Sequence, residues 1–398
     1  MGIEEMGVEV VLIFGLVVLL VWSNVTVAKS TGMSKIQAWG LQFLWVYHFL
    51  FSFVFYLYLQ KNGGDAIRYW DLTADLSQGA SAWWEHWGRG TFFLQWFNFL
   101  PSKVFALDFL FGNVLYACIS FLGIREIYLV GVKYWPEAST KWMEWGWMGL
   151  FFLPNLHFWS SGVGKEAFLI LGLGWAVRGL ADFPRHGILM VIGVLLSFWV
   201  RPISGLVLGL VVWLGLLTEK RIAVPYKTGF SFLILLVVAY AVDRIFVAMH
   251  LEEISLSAFG QFSAGQMEFL RGFDAASEVP MEKYSWAVKL WTVFFMPIWT
   301  DIRDFWDLAA VMENILAFLL LSGLVIGLAY GWFTKINMNI PRVLKLGLVM
   351  TILMGIVFSL TLNNLGIMMR MKSTYMLLCY LAAWRVIYSA NKSYYCIS

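Results

Sequence analysis

Long apolar runs separated by short polar stretches recur from one end of this 398-residue sequence to the other, and no other feature narrows its fold as far. They lie at about 8–27, 37–59, 104–124, 143–159, 165–180, 187–200, 203–218, 229–249, 308–333, 346–366 and 374–389. A helical crossing of the bilayer core takes about 20 apolar residues, and the helix satisfies its own backbone polar groups where no water can. The pattern predicts an all-α, polytopic integral membrane helix bundle of about eleven spans. It is read as one transmembrane domain over 1–398 with two long outer loops, 60–103 and 250–307. Composition agrees: 60% of residues are hydrophobic and 13% charged, where soluble domains are about a quarter charged.

The run at 290–300 contains Pro297 and is too short to cross, so it is expected to be re-entrant or interfacial. Glu4 and Glu5 precede the first run where a signal peptide would carry basic residues, and the run is long enough to span. It is therefore read as a retained first helix. Alternation of the loops then tests the sidedness. Those at 28–36, 125–142, 178–186, 219–228 and 334–345 hold about thirteen Lys/Arg and about four Asp/Glu, against about twelve basic and sixteen acidic residues in the opposite set. The positive-inside bias places the first set in the cytoplasm. The chain is thus expected as a multi-pass protein of the cell inner (cytoplasmic) membrane, N-terminus outside and C-terminus cytoplasmic.

A net charge of +3 with scattered basic residues argues against a nucleic-acid partner. Cys118, Cys379 and Cys396 lie far apart, and the histidines lack the spacing of a metal site, so neither metal nor cofactor is expected. No G-x-S-x-G elbow or H-E-x-x-H pair is present.

The polar residues that could carry chemistry gather on the predicted outer face. Asn62-Gly63-Gly64-Asp65 follows the second run, and its glycines allow a sharp turn at the membrane surface. Asp65 and Asp71 then stand at the lip of the bundle, where a carboxylate can take a proton from a sugar hydroxyl or cap a following helix. Farther on, LPNLHFWSSGVGKE (Leu153–Glu166) sets Ser160, Ser161 and two glycines before a helix beginning at Lys165 and Glu166. A helix N-terminus beside a lysine suits a phosphate or pyrophosphate; simple pairing of Lys165 with Glu166 is the plainer alternative. Arg201 and Arg370 are near-membrane arginines, costly unless paired or lining a wet cavity, while Lys372 reads as snorkelling to headgroups. Trp70, Trp83, Trp84, Trp87 and Trp96 crowd the first outer loop, as an interfacial aromatic belt or as a stacking platform for sugar rings.

The Leu153–Glu166 string resembles the L-P-S-x-x-F-W-S-S-G-x-x-K-E/D pattern of multi-spanning bacterial envelope proteins associated with polysaccharide loci, the GT-C-like glycosyltransferases and polysaccharide polymerases. Gly64-Asp65 through Tyr69 resembles their G-D-x-x-x-Y segment, Arg201-Pro202 their R-P turn, and Asn364-Leu365-Gly366 through Arg370 a late N-x-G-x-x-x-R segment. Pro297-Ile298-Trp299 is similar to an Arg/Pro/Trp segment of these proteins, but Met296 stands where a basic residue is expected.

The resemblance implies a sugar donor linked to polyprenyl phosphate or diphosphate, handled on the outer face. Asp65 would be the base toward the acceptor, with Lys165, Arg201 and Arg370 on the donor phosphate. Asp71 and Glu166 are the further candidate catalytic carboxylates, and Ser160, Ser161 and Asn364 further candidate substrate contacts. Two other classes compete: a non-catalytic integral subunit of a cell-envelope complex, with the aromatic loops as partner surfaces, and a transporter of a lipid-linked solute. The transporter predicts inverted repeats, and none is evident.

Overall fold

A computed structural model describes residues 3–74, 79–135, 141–220, 222–249, 264–268, 270 and 277–397. Most of the stretch from 250 to 276 in the second expected outer loop lies outside the described residues. Those described are helical, with no strand among them; one isolated antiparallel bridge pairs Glu278 with Asn364.

In chain order the helices are α1 (Ile3–Ser30), α2 (Lys35–Asn62), α3 (Asp65–Trp70), α4 (Thr91–Asn98) and α5 (Phe109–Lys133). There follow α6 (Lys141–Gly149), α7 (Pro154–Ser160), α8 (Lys165–Ala181), α9 (Gly187–Val200), α10 (Pro202–Thr218) and α11 (Val224–Met249). Last come α12 (Trp286–Phe295), α13 (Phe305–Thr334), α14 (Arg342–Thr361), α15 (Leu365–Lys372) and α16 (Met376–Ile397). Among the described residues five helical stretches, Gly7–Ser30, Lys35–Asn62, Phe109–Lys133, Phe305–Thr334 and Arg342–Thr361, are long and apolar enough to cross a membrane, and the chain is a membrane protein. The ten residues of α12 are too few to cross.

The apolar run at 143–159 is not one helix. It divides into α6, a 3-10 turn over Leu150–Phe152, and α7. Pro154 has no N–H to give a preceding turn, and its ring clashes with a helix entering from the N-terminal side, so it opens α7 instead. Hydropathy runs through this break unchanged, which is why the run reads as a span.

The chain forms two compact units, one of Met1–Trp135 and Phe151–Gly205, the other of Pro136–Leu150 and Leu206–Ser398. In the first, α8 is buried on almost every face and packs on α5 and α9. Small residues allow the approach: a Cβ on Gly123 would overlap the carbonyl of Ile170, and one on Gly172 would overlap Gly193 and Ser197. Where lipid is as apolar as leucine, such backbone proximity and interhelical polar contacts hold helices together. The polar contacts here are deeply buried. His157 Nε2 lies 2.7 Å from the Phe151 carbonyl, His157 Nδ1 2.8 Å from His48 Nδ1, and His48 Nε2 2.7 Å from Ser120 Oγ. A carbonyl only accepts, so with neutral rings His157 donates to Phe151, His48 to His157, and Ser120 to His48. This chain ties α7 to α2 and α5.

In the second unit α16 packs on α13 and α14, with α12 against both of the latter. Lys372, at the end of α15, does not snorkel. It is 2% exposed, and its ammonium donates to Asn314 Oδ1 at 2.7 Å and to the carbonyls of Met296 at 3.0 Å and Phe294 at 3.4 Å. Asn314 in turn donates to the Pro297 carbonyl at 2.9 Å. Three converging oxygens replace the headgroup and water contacts that a snorkelling lysine would seek. Lys372→Met keeps the apolar volume but strips these acceptors of their donor; it is expected to cost about 2–3 kcal/mol. A lowered melting temperature in detergent, followed by tryptophan fluorescence, checks this, and an unchanged one refutes it.

Candidate functional site

The candidate site is built at one end of the first unit. Ring contacts of Phe158 with Phe55 and Tyr58 set the end of α7 against the last turns of α2. The buried Asn113 side chain, near the start of α5, accepts from the Val163 amide at 2.9 Å. A Cβ on Gly162 would enter the Phe55 ring. The Ser160–Gly164 turn is therefore fully enclosed, and α8 starts from a fixed point with Lys165 and Glu166.

Glu166 is completely buried and pairs with Arg201, whose Nη2 lies 3.4 Å from Glu166 Oε1. Arg201 stands at the corner where α9 ends and Pro202 opens α10. The segment Gly88–Gly90 lies against the same place. Trp199 Nε1 donates to the Gly88 carbonyl at 2.8 Å, the Gly90 amide donates to the Trp199 carbonyl at 3.1 Å, and the Arg89 guanidinium sits 6.0 Å from the Trp199 ring centre. Gly90 has φ +63°, and a Cβ there would come within 3.6 Å of Lys165 Nζ. Arg201 thus pairs with the buried Glu166 carboxylate, Lys165 reaches toward Gly90, and Arg89 of the same segment lies over Trp199.

Tryptophans lead away from this cluster. The Trp199 and Trp87 ring centres are 5.4 Å apart, Trp87 and Trp96 4.6 Å, and Trp96 stacks on Trp83 at 5.2 Å with only 13° between planes. Beyond Trp96 opens an apolar groove of about 740 Å³, walled by Val8 and Leu12 of α1, Trp83, Trp96, Leu100 and Phe111. Nearby Glu85 accepts from the amides of Ala82 and Ser81, which hold its carboxyl below the ordinary value.

The remaining sequence candidates are placed as follows. Gly63, at φ +69°, and Gly64 turn the chain out of α2. Asp65 opens α3 and Asp71 closes it; both are exposed. The helix carrying them is fixed by its other face: Trp70 Nε1 donates to the Leu107 carbonyl, Asn98 Nδ2 donates to that of Tyr69, and the Tyr116 hydroxyl donates to Asn98 Oδ1. The Ser160 hydroxyl turns back to donate to the Leu156 carbonyl at 2.6 Å, and Ser161 is fully buried. Asn364 and Arg370 belong to the second unit. There Asn364 caps α15, its Oδ1 accepting from the Ile367 amide at 3.1 Å and from Ser277 Oγ at 3.1 Å, and Arg370 lies half-buried in the last turn of that helix.

The structure therefore brings Lys165, Glu166 and Arg201 together and sets Arg89, which sequence reasoning passed over, on the ring of the neighbouring Trp199. The available signal was an arginine between two glycines inside an otherwise aromatic loop. Chemically, the cluster can hold an anion, and α3 can present a carboxylate to solvent. Among the described residues no three His, Cys, Asp or Glu side chains gather as a metal site. No protein-family profile, curated protein or solved structure matches the chain.

Proposed function

We propose that the protein is a membrane glycosyltransferase or polysaccharide polymerase that transfers sugar from a polyprenyl-phosphate-linked donor on the outer face of the cytoplasmic membrane. The observation that carries this reading is that Lys165 and Arg201 flank the Gly88–Gly90 segment, whose Arg89 lies over Trp199 at the start of an aromatic path that ends in an apolar groove. An anionic head and a hydrocarbon tail need those two environments side by side. Lys165 holds the donor phosphate, Arg201 stabilises the leaving group, Asp65 takes the acceptor proton, and Glu166 orients Arg201. Arg370, which belongs to the second unit, is given no part in this proposal. It retains about eleven spans, with α1 starting outside and α16 ending in the cytoplasm.

Transfer of labelled sugar from a polyprenyl-linked donor in proteoliposomes tests the reading. Failure with every donor of a broad panel overturns it. Sidedness has its own test in a cysteine-free background: a cysteine at the exposed Ser81 is expected to react with an impermeant maleimide on intact cells, and one at the exposed Thr228 only after permeabilisation. The reverse pattern removes the outer-face mechanism. A non-catalytic envelope-complex subunit is the second reading, favoured by the position of the apolar groove on the expected outer loop, where a partner helix could lie.

A further inference from the structure

We infer that the first unit carries a second site, at the end of α5 and α8 away from Lys165, where Arg125 and Arg178 bind the phosphodiester of an anionic phospholipid. It does not rest on the proposed activity, because Arg178 lies about 20 Å along α8 from Lys165 by helical rise. Glu126 of α5 stands between the two arginines: Arg178 Nε is 3.5 Å from Glu126 Oε2, and Arg125 Nε is 3.9 Å from Glu126 Oε1. Both separations exceed the roughly 2.7–2.9 Å of a closed charge-assisted hydrogen bond. The side chains are nonetheless mostly buried, Arg125 at 12% exposure, Glu126 at 16% and Arg178 at 17%.

Donors are left over at this place. Arg125 Nη1 donates to Ser23 Oγ of α1 at 2.8 Å, but among the described residues neither arginine Nε has a hydrogen-bond partner. Asn24, next to Ser23 and fully buried on the protein-facing side of α1, has a partner for neither atom of its amide. At the same level Gln42 of α2 donates to the Val21 carbonyl at 3.2 Å and leaves its buried Oε1 unpartnered. Buried polar groups are almost always satisfied, so a concentration of exceptions beside two arginines points to a ligand.

Charge and access select the ligand. Two arginines against one carboxylate leave one positive charge in excess. Among the described residues at this end of α1, α2, α5, α8 and α9, the one further acid is Asp182, and His186 Nδ1 meets it at 3.2 Å. Lys133, which donates to the Ala181 carbonyl at 2.9 Å, and the exposed Arg185 add positive charge. A phosphodiester brings one negative charge and paired oxygens that suit guanidinium forks, whereas a zwitterionic headgroup brings no net charge. Basic pockets between membrane helices take anionic headgroups in this way. Lipid can reach the place along α1, which is apolar enough to span and scarcely covered by protein; Trp22, beside Ser23, is exposed.

The test is native mass spectrometry of the full-length protein in detergent, titrated with phosphatidylglycerol or with phosphatidylcholine of the same acyl chains. The first phosphatidylglycerol is expected to bind about tenfold more tightly than the first phosphatidylcholine, and millimolar inorganic phosphate should not displace it. Arg178→Gln leaves Glu126 beside Arg125 but removes the excess charge, and should weaken the first phosphatidylglycerol adduct about tenfold while leaving phosphatidylcholine adducts unchanged. Asn24→Leu should weaken it about threefold without lowering the melting temperature, since it removes an amide that has no partner in the protein. Melting curves establish that the variants are folded; if Arg178→Gln is not, Asn24→Leu decides alone. Equal binding of the two lipids, displacement by inorganic phosphate, or wild-type affinity in a folded variant overturns the inference. Sugar transfer is not measured, so neither outcome bears on the proposed activity.

Discussion

Arg201→Ala should destabilise the protein by about 3 kcal/mol or more, and Arg201→Leu combined with Glu166→Gln should recover most of that loss. The reason lies in the asymmetry of buried ion pairs. Forming one contributes little net stability, because both ions lose their hydration, but removing one partner strands the other charge in a low-dielectric setting. Glu166 is fully buried while Arg201 keeps a quarter of its side chain exposed, so the carboxylate suffers more from the loss. Neutralising both members removes the stranded charge. Melting in detergent micelles measures the stability of each variant. A double variant as unstable as Arg201→Ala refutes the account. The same series separates structure from function: transfer activity should stay lost in the refolded double variant, because the phosphate has lost a cation that stability does not need.

How far the sequence disclosed this arrangement depended on the range of the interaction. Hydropathy is local: it located α2 and α13 to within three residues and α1 and α14 to within five, but ended α5 nine residues early. The break at Pro154 was written in one residue but hidden by apolar neighbours on both sides. The start of α8 was legible because Ser-Ser-Gly-Val-Gly announces a turn before a helix. The partners of that turn were not, since Asn113 and Phe55 come from other helices. Pairing of Glu166 with its own neighbour Lys165 was the local alternative; the structure pairs it with Arg201, 35 positions away, which no periodicity reports. The histidines were set aside for lack of metal spacing, yet His48 and His157 meet across 109 residues as a structural polar chain. Lys372 was misread for the same reason: its acceptors, Asn314 and the Phe294 and Met296 carbonyls, come from segments 58 to 78 positions earlier. The tryptophans of the first loop were legible as a cluster, but only the fold strings them between Arg89 and a groove.

The sharpest expected effect on turnover is at Asp65. A general base acts only as the proton leaves the acceptor, so its loss lowers kcat, whereas a cation that holds the phosphate in ground and transition states alike changes mainly KM. Asp65→Asn should therefore reduce turnover about a hundredfold or more while donor KM stays nearly constant. Lys165→Ala and Arg89→Ala should raise donor KM about tenfold with a smaller change in kcat. Asparagine is the informative replacement because it keeps the shape and the hydrogen bonding of a residue at the first position of α3 but cannot take a proton. The structure makes the comparison clean: Asp65 is exposed on a helix held from its opposite face by Trp70 and Tyr69, so the substitution should not disturb the fold. Asp71, at the other end of α3, is the internal control, and Asp71→Asn should retain at least half of the activity if Asp65 alone carries the proton. Full turnover in Asp65→Asn, measured in proteoliposomes with the labelled donor, would remove the base assignment. Equal losses at Asp65 and Asp71 would show instead that α3 contributes its negative field rather than one proton acceptor.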